Sequence, residues 1–411
     1  MHCSIAIIAS LISFSTACLH DLLPREHLSL PSPPAKIEIR NVARPQSNRV
    51  ALKNVRVFDG YKIHKPSTLY IDGEHIVHGP LKHLDSTFDG QGRILIPGLI
   101  DAHTHPLSLK DLHSFSANGV TTALSMSCFP EPLCQSLRNQ VGLTSFYHAV
   151  RAAAGTNSTG LGPLLGLPPG YPITSPADAA PYVREAIKNG TDYIKIVSET
   201  GGIDQESHNA VVAAAHAAGQ QVNTHAVDFA GYDRAIRSKT DVIQHSCMDA
   251  PLTPSMVSTI LRQKQVVTAT ISIARKKDEL APLLNVTVPA NFFFDLAVNN
   301  TRLLHQAGVT VLAGTDSNDV SPVFSVPFGS SLHDELEFLV GAGMTPAEAL
   351  RAATVTLAKV HNLHDRGVIK PGKRADLVLL NGNPIMDIKA TRRVVGVWVG
   401  GLKYEGNDGK D

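Results

Sequence analysis

The sequence has almost no excess of charge of either sign. Its 411 residues carry 37 Lys and Arg side chains against 36 Asp and Glu side chains, a formal net charge of +1. Binding to phosphate backbones or acidic membranes needs clustered positive charge. The composition therefore makes no case for a nucleic-acid or membrane partner. A hydrophobic content of 43% predicts a chain that can bury a core.

Long hydrophobic runs are also missing. The apolar segment at residues 4–18 is shorter than the ~20 residues that a membrane-spanning helix needs. It ends in small residues, as secretory signal peptides do, although no Lys or Arg precedes it. We therefore predict a signal peptide over residues 1–18 and a secreted, extracellular glycoprotein. A cytosolic protein with an irregular N-terminus is the alternative. The secretion prediction also rests on four Asn-x-Ser/Thr sequons, at Asn157, Asn189, Asn285 and Asn299.

Cysteine is scarce, with five in the whole chain. Removal of the signal peptide would leave Cys128, Cys134 and Cys247, an odd number that does not form a disulfide framework. A local bridge between Cys128 and Cys134 is one alternative, and three free thiols are the other. A chain of this size needs no disulfide bond for stability.

Short strand-like segments occur near both ends of the chain, and an N-terminal arm precedes the first of them. Residues 19–47 are rich in Pro and Ser and predict an arm with little structure. From Val50 onward, β-branched runs are separated by Asp-Gly pairs, which favour hairpins. Similar runs with a Gly-Gly turn return near the C-terminus. We predict one small β-sandwich domain built from both chain ends, residues 48–97 and 366–408.

The central part of the chain alternates between strand-like and helical patterns. This alternation is typical of repeated βα units, and eight units over residues 98–365 fit the size of a TIM barrel. We therefore predict an α/β fold, a TIM (β/α)8 barrel flanked by the β-sandwich domain. The strand candidates are residues 99–103, 120–125, 145–150, 192–197, 220–225, 241–245, 266–271 and 309–316.

Four histidines lie at the ends of these strand candidates. His103 and His105 end the apolar run LIPGLIDAHTHP at a spacing of i and i+2, which puts both on one face of a strand. His225 and His245 each end another candidate. The carboxyl ends of barrel strands face one cavity. One histidine there is usually structural, but four neutral imidazoles together are best explained by a shared cation.

An aspartate and a lysine extend this set. Asp316 ends the eighth candidate strand. It could cap the next helix, but beside the histidines it would complete a cation site and accept a proton from water. Lys195 lies between Ile194 and Ile196, where burial lowers the pKa of the amine. A neutral amine can react with carbon dioxide to form a carbamate, an anionic bridge between two metals. A lysine ion-paired in the barrel mouth is the alternative.

The segments PGLIDAHTH, YIKIV, NTHA, IQH and GTD, in this order, resemble the amidohydrolase superfamily with a two-metal centre. The resemblance extends from about Val50 to Tyr404, and the tail from Met344 is similar to imidazolonepropionase-like members. Prolidase-like carboxypeptidases and ochratoxinase belong to the same group, although the SETGG segment after Lys195 departs from the ochratoxinase pattern. The resemblance implies two divalent cations, expected to be zinc. One would be held by His103, His105 and Asp316, the second by His225 and His245, with carboxylated Lys195 as the bridge.

This site implies a metal-dependent amidohydrolase that cleaves a carbon–nitrogen bond of a small amide-type molecule. A metal-bound hydroxide would attack the carbonyl, and Asp316 would act as general base and then acid. Hydrolysis of an ester, lactone or cyclic amide is the alternative on the same centre. A non-catalytic binding or assembly protein would be expected to have lost ligands. Mouth loops offer Tyr171, Arg275 and His333 as candidate substrate contacts, and a homo-oligomer stays open because no stretch marks an interface.

Overall fold

The structure is a computed structural model that describes residues 48–156, 170–284, 286–320 and 324–406. The signal peptide and arm predicted over residues 1–47 lie outside this part, as do the sequons at Asn157 and Asn285. Within the described ranges, no helix combines the length and the apolar character that crossing a bilayer requires.

Strands and helices alternate through the middle of the chain, while short strands gather at its two ends. The strands are β1 (Arg49–Val57), β2 (Ser67–Asp72), β3 (His75–Val77), β4 (Ser86–Asp89), β5 (Ile94–Pro97), β6 (Leu99–Thr104), β7 (Val120–Ser125), β8 (Ser145–His148), β9 (Ala153–Ala154), β10 (Tyr171–Pro172), β11 (Ile194–Val197), β12 (Val222–His225), β13 (Val242–Gln244), β14 (Val266–Thr268), β15 (Val311–Leu312), β16 (Leu377–Leu380), β17 (Val394–Val399) and β18 (Leu402–Lys403).

The helices lie in the central region of the chain, and most of them follow a strand. They are α1 (Leu109–Ala117), α2 (Glu131–Ser136), α3 (Ala179–Lys188), α4 (Gln205–Ala217), α5 (Phe229–Arg237), α6 (Pro254–Gln263), α7 (Ile271–Leu280), α8 (Phe292–Gln306), α9 (Ser330–Gly341), α10 (Pro346–Ala352) and α11 (Val355–Val360). Short 3-10 helices lie at Pro176–Asp178, Ala281–Leu284 and Ile388–Arg392.

Strands from both chain ends share one eight-stranded sheet. Its order is β18-β17-β16-β5-β1-β2-β3, with β4 paired to β1. The junction between the two ends is antiparallel, with Val378 of β16 opposite Ile96 of β5. One side of the sheet buries Leu52, Ile71 and Trp398. The sandwich arrangement of this unit stays a prediction.

The central strands form two parallel sheets, β6-β7-β8 and β10-β9-β11-β12-β13-β14-β15. Backbone hydrogen bonds link the two sheets at both junctions. Ala102 N donates to Ala313 O at 3.1 Å beside β6 and β15, and Asp192 N donates to His148 O at 2.9 Å between β8 and β11. Every residue of β6 is buried, as expected of a strand covered on both faces. The predicted α/β fold is confirmed.

Two details of the described chain bear on the sequence predictions. The eighth predicted strand, 309–316, is a strand only at Val311–Leu312, and the φ of +59° at Asp316 lies outside the range of strand conformations. Cys128 and Cys134 are joined by a disulfide, and Cys247 is a buried free thiol.

Candidate metal centre

The parallel strands bring the predicted ligand positions to one edge of the sheets. His225 is the last residue of β12, and His103 is the next-to-last residue of β6. His105 directly follows β6, and His245 directly follows β13. Because parallel strands end at the same edge, these side chains converge there. Lys195 of β11 and Asp316, just beyond β15, complete the group.

Asp316 lies close to three of the four histidines. Its Oδ1 lies 3.0 Å from His105 Nε2 and 3.3 Å from His103 Nε2, and its Oδ2 lies 4.0 Å from His245 Nδ1. Ligand atoms of His103, His105 and Asp316 all lie within 4.8 Å of one another, close enough to hold one ion. The ring centroid of His245 is 4.5 Å from that of His103 and 4.5 Å from that of His225.

Burial keeps three of the imidazoles neutral. His103 is 2% exposed and His245 is 1% exposed. Burial, aided by nearby positive charges that include Lys195, lowers the pKa of His103, His225 and His245 well below the ordinary value. A neutral imidazole has the lone pair that a metal ion requires. Burial and the nearby positive charges therefore favour the neutral form of these side chains, which is the form that can bind a metal.

Hydrogen bonds fix the orientation of two of the rings. His103 Nδ1 donates to Gln244 Oε1 at 2.9 Å, and Gln244 Nε2 donates to Asn223 Oδ1 at 2.8 Å. The lone pair of His103 therefore lies on Nε2, which points toward Asp316. His245 Nδ1 contacts the Thr270 hydroxyl at 2.9 Å. Outer hydrogen bonds of this kind set the direction of metal-ligating histidines. Sequence reasoning missed Gln244 and Thr270, for which no spacing pattern exists.

Lys195 is buried at this edge without a partner. Its side chain is 3% exposed, and its Nζ has no hydrogen-bond partner among the described residues. Burial lowers the pKa of the amine from 10.5 to about 7, and the negative charge of Asp316 opposes the shift only in part. A lysine in this state has a large reactive fraction near neutral pH.

A buried carboxylate, Asp101, ties β6 to the segment that holds Asp316. Asp101 Oδ1 accepts from His103 N at 3.1 Å and Thr315 N at 3.0 Å, and its Oδ2 accepts from the Thr315 hydroxyl at 2.7 Å. Burial raises the pKa of Asp101 to about 7 despite these donors. In the sequence, Asp101 can be recognised as a charged residue inside the apolar run LIDAH, just as Lys195 can be recognised between two isoleucines.

A second buried carboxylate, Glu335 of α9, supports the turn beside His245. It accepts from Ile271 N at 2.9 Å, from Ser272 N at 2.8 Å and from the Ser272 hydroxyl at 2.7 Å. These contacts hold the start of α7, directly after Thr270. Burial raises the pKa of Glu335 to about 7. Its helical position carried no signal in the sequence.

Unusual backbone conformations gather at the same edge. His245, Thr270 and Asp316 have φ values of +77°, +46° and +59°. Side chains other than glycine rarely adopt this region, and each such residue costs about 1–3 kcal/mol. Such conformations persist where the surrounding contacts over-determine the geometry, as at functional sites.

The three predicted substrate contacts have the following neighbours in the structure, and their role in substrate binding stays a prediction. His333 is 2% exposed and bonds through Nδ1 to the Thr391 hydroxyl at 3.1 Å, so it is packed against the C-terminal 3-10 helix and not at an open mouth. Arg275 stacks its guanidinium on Phe294, 4.2 Å from the ring centroid. Tyr171 lines a cavity of about 340 Å³, among whose lining residues there is no predicted metal ligand.

The two described sequons differ in exposure. Asn189 directly follows α3 and is partly exposed, whereas Asn299 lies on α8 and is exposed. Glycosylation at either position stays a prediction.

Comparison with known proteins agrees with this geometry. A family model described as "Amidohydrolase family" matches residues 94–403. Adenine deaminase from Gluconobacter oxydans is 26% identical over 370 residues, covering 84% of this chain and 58% of that protein. Imidazolonepropionase from Deinococcus deserti is 40% identical over 106 residues, 25% of each chain. The chain thus spans less than two thirds of these relatives.

A solved structure, a putative prolidase from Bifidobacterium longum, superimposes with a TM-score of 0.76 at 25% identity. The match covers 88% of this chain and 95% of that one. The family match includes β6 and the segments that carry all six predicted ligands. This chain therefore belongs to the amidohydrolase family.

Proposed function

We propose that this chain is a metal-dependent hydrolase of carbon–nitrogen bonds in small molecules. The observation that carries the proposal is the convergence of His103, His105 and Asp316, whose ligand atoms lie within 4.8 Å of one another, beside His225 and His245. We propose two divalent cations here, with zinc as the expected metal because imidazole and carboxylate are ligands that zinc prefers.

The donor set fits divalent cations. The buried imidazoles are neutral, and outer hydrogen bonds direct His103 Nε2 inward. His245 Nε2 and Lys195 Nζ are buried polar atoms without a hydrogen-bond partner among the described residues. Leaving such atoms unpaired costs about 1–3 kcal/mol each, so a ligand for them is expected. His103, His105 and Asp316 would hold one cation, and His225 with His245 the second.

Cations bound here would lower the pKa of a water molecule and polarise the carbonyl of the substrate. The proton of the attacking water would go to Asp316 and from there to the leaving nitrogen. Asp316 Oδ1 faces two imidazole nitrogens, whereas Oδ2 lies 4.0 Å from His245 Nδ1, and Oδ2 is the oxygen that we propose takes the proton. His105, whose side chain is 28% exposed, marks the side open to solvent.

Lys195 is the proposed bridge. Its neutral amine nitrogen would form a bond to the carbon of carbon dioxide and release one proton, which leaves an anionic carbamate. Its low pKa and its unpartnered Nζ support this step. The carbamate would add two oxygen donors to the proposed site, where a bare ammonium would repel cations.

The remaining features of the protein are proposed on separate grounds. Two junctions between the parallel sheets support closure into a TIM barrel, which has eight strands when the two-residue strands β9 and β10 are left out. The disulfide between Cys128 and Cys134 supports an oxidising compartment, in line with the secretion proposed from the N-terminal segment and the sequons. Sequencing the N-terminus of the exported protein would test this, since an intact residue 1–18 segment contradicts it.

A mass-spectrometric hydrolysis screen tests the proposed activity. The panel contains N-acyl amino acids, Xaa-Pro dipeptides, aryl amides, lactones, adenine and an imidazolone acid. It is run with the native, the chelator-treated and the zinc-restored protein, and with Asp316→Asn as the matched control.

Cleavage of a carbon–nitrogen bond that is lost on chelation, returns with zinc and is absent in the variant is the expected result. Cleavage of the lactones alone would replace the amide proposal with an ester-type one. Absence of turnover by a fully metal-loaded protein would count against the proposed activity. Turnover that persists after chelation would do the same.

A further inference from the structure

Tyr232 lies on α5, the helix that follows β12, and its hydroxyl reaches the main chain of His245. The hydroxyl oxygen is 2.6 Å from the carbonyl oxygen of His245. The Tyr232 side chain is buried, and burial raises its pKa well above the ordinary value. The hydroxyl is therefore protonated near neutral pH and donates its hydrogen to this carbonyl.

The peptide group between His245 and Ser246 is held at both of its polar atoms. Its carbonyl oxygen accepts from Tyr232, and its N–H group, which belongs to Ser246, donates to Ala269 O at 2.9 Å. Thr270, which follows Ala269, contacts the imidazole Nδ1 of His245 at 2.9 Å. Three separate contacts, one from α5 and two from the chain after β14, thus fix the main chain and the ring of His245.

These contacts hold His245 in an unfavourable backbone conformation. Its φ is +77°, in a region that residues other than glycine rarely adopt. Such a conformation persists only where the surrounding contacts over-determine it. If the hydrogen bond from Tyr232 is removed, we expect the main chain of His245 to relax, which changes the direction of its imidazole.

The first turn of α5 is itself fixed beside the ends of two parallel strands. Gly231 lies against Ser198, the residue after β11, and a Cβ at position 231 would be 2.3 Å from Ser198 O. Glycine permits this close approach. The Ser198 hydroxyl donates to Gly231 O at 3.3 Å, and Phe229 N donates to Asp249 Oδ1 at 2.8 Å. Tyr232 therefore extends from a helix whose position is set independently of His245.

Another buried tyrosine makes the same kind of hydrogen bond away from a predicted ligand. The Tyr193 hydroxyl donates to Ser125 O at 3.0 Å. Ser125 O also accepts from Ala149 N at 2.9 Å, and the φ of Ser125 is not in the positive range. Loss of the Tyr193 hydroxyl thus leaves this carbonyl with a donor and releases no strained residue, which makes Tyr193 a matched control for Tyr232.

We propose that Tyr232 is a positioning residue of the metal centre, whose hydrogen bond to the His245 carbonyl holds the imidazole in its metal-binding direction before a cation binds. This inference rests on the proposed function, because it takes His245 to be a metal ligand. Tyr232 would act through His245 alone.

A zinc titration against a competing chelator tests this role without turnover. Tyr232→Phe removes the hydroxyl and keeps the ring, and Tyr193→Phe is the matched control. Loss of a group that orients a metal-ligating histidine weakens metal binding ~10- to 100-fold. We expect a loss of about ten-fold in Tyr232→Phe, at the lower end of this range because Thr270 still contacts the ring. Tyr193→Phe should bind zinc as the wild type does.

Two further measurements separate positioning from general stability. The melting temperatures of the metal-free proteins report the loss of stability that any buried hydrogen bond would cause. Metal-free crystal structures of the wild type and of Tyr232→Phe should show the main chain of His245 displaced in the variant.

Other outcomes overturn the inference. Equal zinc affinities of the wild type and Tyr232→Phe would do so, and a lower melting temperature alone would make Tyr232 a purely structural residue. An undisplaced His245, or an equal loss of affinity in Tyr193→Phe, would also refute it. Failure of the wild type to bind zinc would refute the proposed metal centre together with this inference. Zinc affinity that depends on Tyr232, without turnover in the hydrolysis screen, would support the positioning role and refute the proposed reaction.

Discussion

Replacement of Lys195 by methionine should stabilise the metal-free protein and disable the metal-loaded one. Lys195 is 3% exposed with an unpartnered Nζ, and burial lowers its pKa from 10.5 to about 7. Between these two values the unfolded chain binds a proton that the folded chain does not. Stability therefore rises with pH in this window, and the lysine destabilises the fold below it.

The size of the effect follows from the shift in pKa. One pKa unit corresponds to about 1.4 kcal/mol. The cost of burying Lys195 in the metal-free fold is then about 4 kcal/mol at pH 7 and about 1 kcal/mol at pH 9.5. Methionine has a similar length and no charge, so Lys195→Met should recover most of this free energy of unfolding at pH 7 and little at pH 9.5.

Urea unfolding in chelator and carbon-dioxide-free buffer, at several pH values, measures this difference. Lys276→Met is the matched control, because Lys276 lies on the surface of α7 in an ion pair with Glu279. With zinc and bicarbonate the order should reverse, since the variant lacks the bridging ligand. A variant less stable than the wild type at pH 7 in chelator, or a stability gap that does not change with pH, would refute the reasoning.

Three further predictions concern Asp316, Thr270 and Asp101. Asp316→Asn should abolish turnover while keeping most of the bound zinc, as activity assays with metal analysis would show; an active variant would refute the proton transfer. Thr270→Val should weaken zinc binding ~10- to 100-fold by freeing His245 Nδ1, whereas Thr270→Ser should not; equal affinities in a competitive chelator titration would contradict this. Asp101→Ala should lower the free energy of unfolding by about 1–3 kcal/mol, measured in urea, and Asp101→Asn by less; the reverse order would argue against its three accepted hydrogen bonds.

The convergence of the candidate ligand positions could be predicted because two simple rules place these residues together. Alternation on a strand puts His103 and His105 on one face, and parallel strands end at one edge, which brings His225 and His245 to the same place. Neither rule uses tertiary contacts. The same reasoning identified Lys195 as a charge inside an apolar strand, and it applied equally to Asp101, which went unrecognised.

The supporting residues could not be predicted in this way. Gln244 and Thr270 orient His103 and His245 only because loops from different strands meet, and Glu335 reaches the start of α7 from a helix far along the chain. Their roles depend on how these loops and helices pack against one another. The sequence pattern does not determine how each helix is rotated about its axis.

The three buried ionisable residues of the site differ in their hydrogen bonds, and this difference distinguishes a structural role from a chemical one. Asp101 and Glu335 are buried, and each accepts three hydrogen bonds, so their environment already stabilises them in place. Lys195 is equally buried and accepts or donates none among the described residues. A fold that only needed to fill this position could do so with an apolar side chain at lower cost. The unpaired lysine is therefore best explained by a partner that does not come from the chain itself. Carbon dioxide, bound as a carbamate beside the cations, would be such a partner.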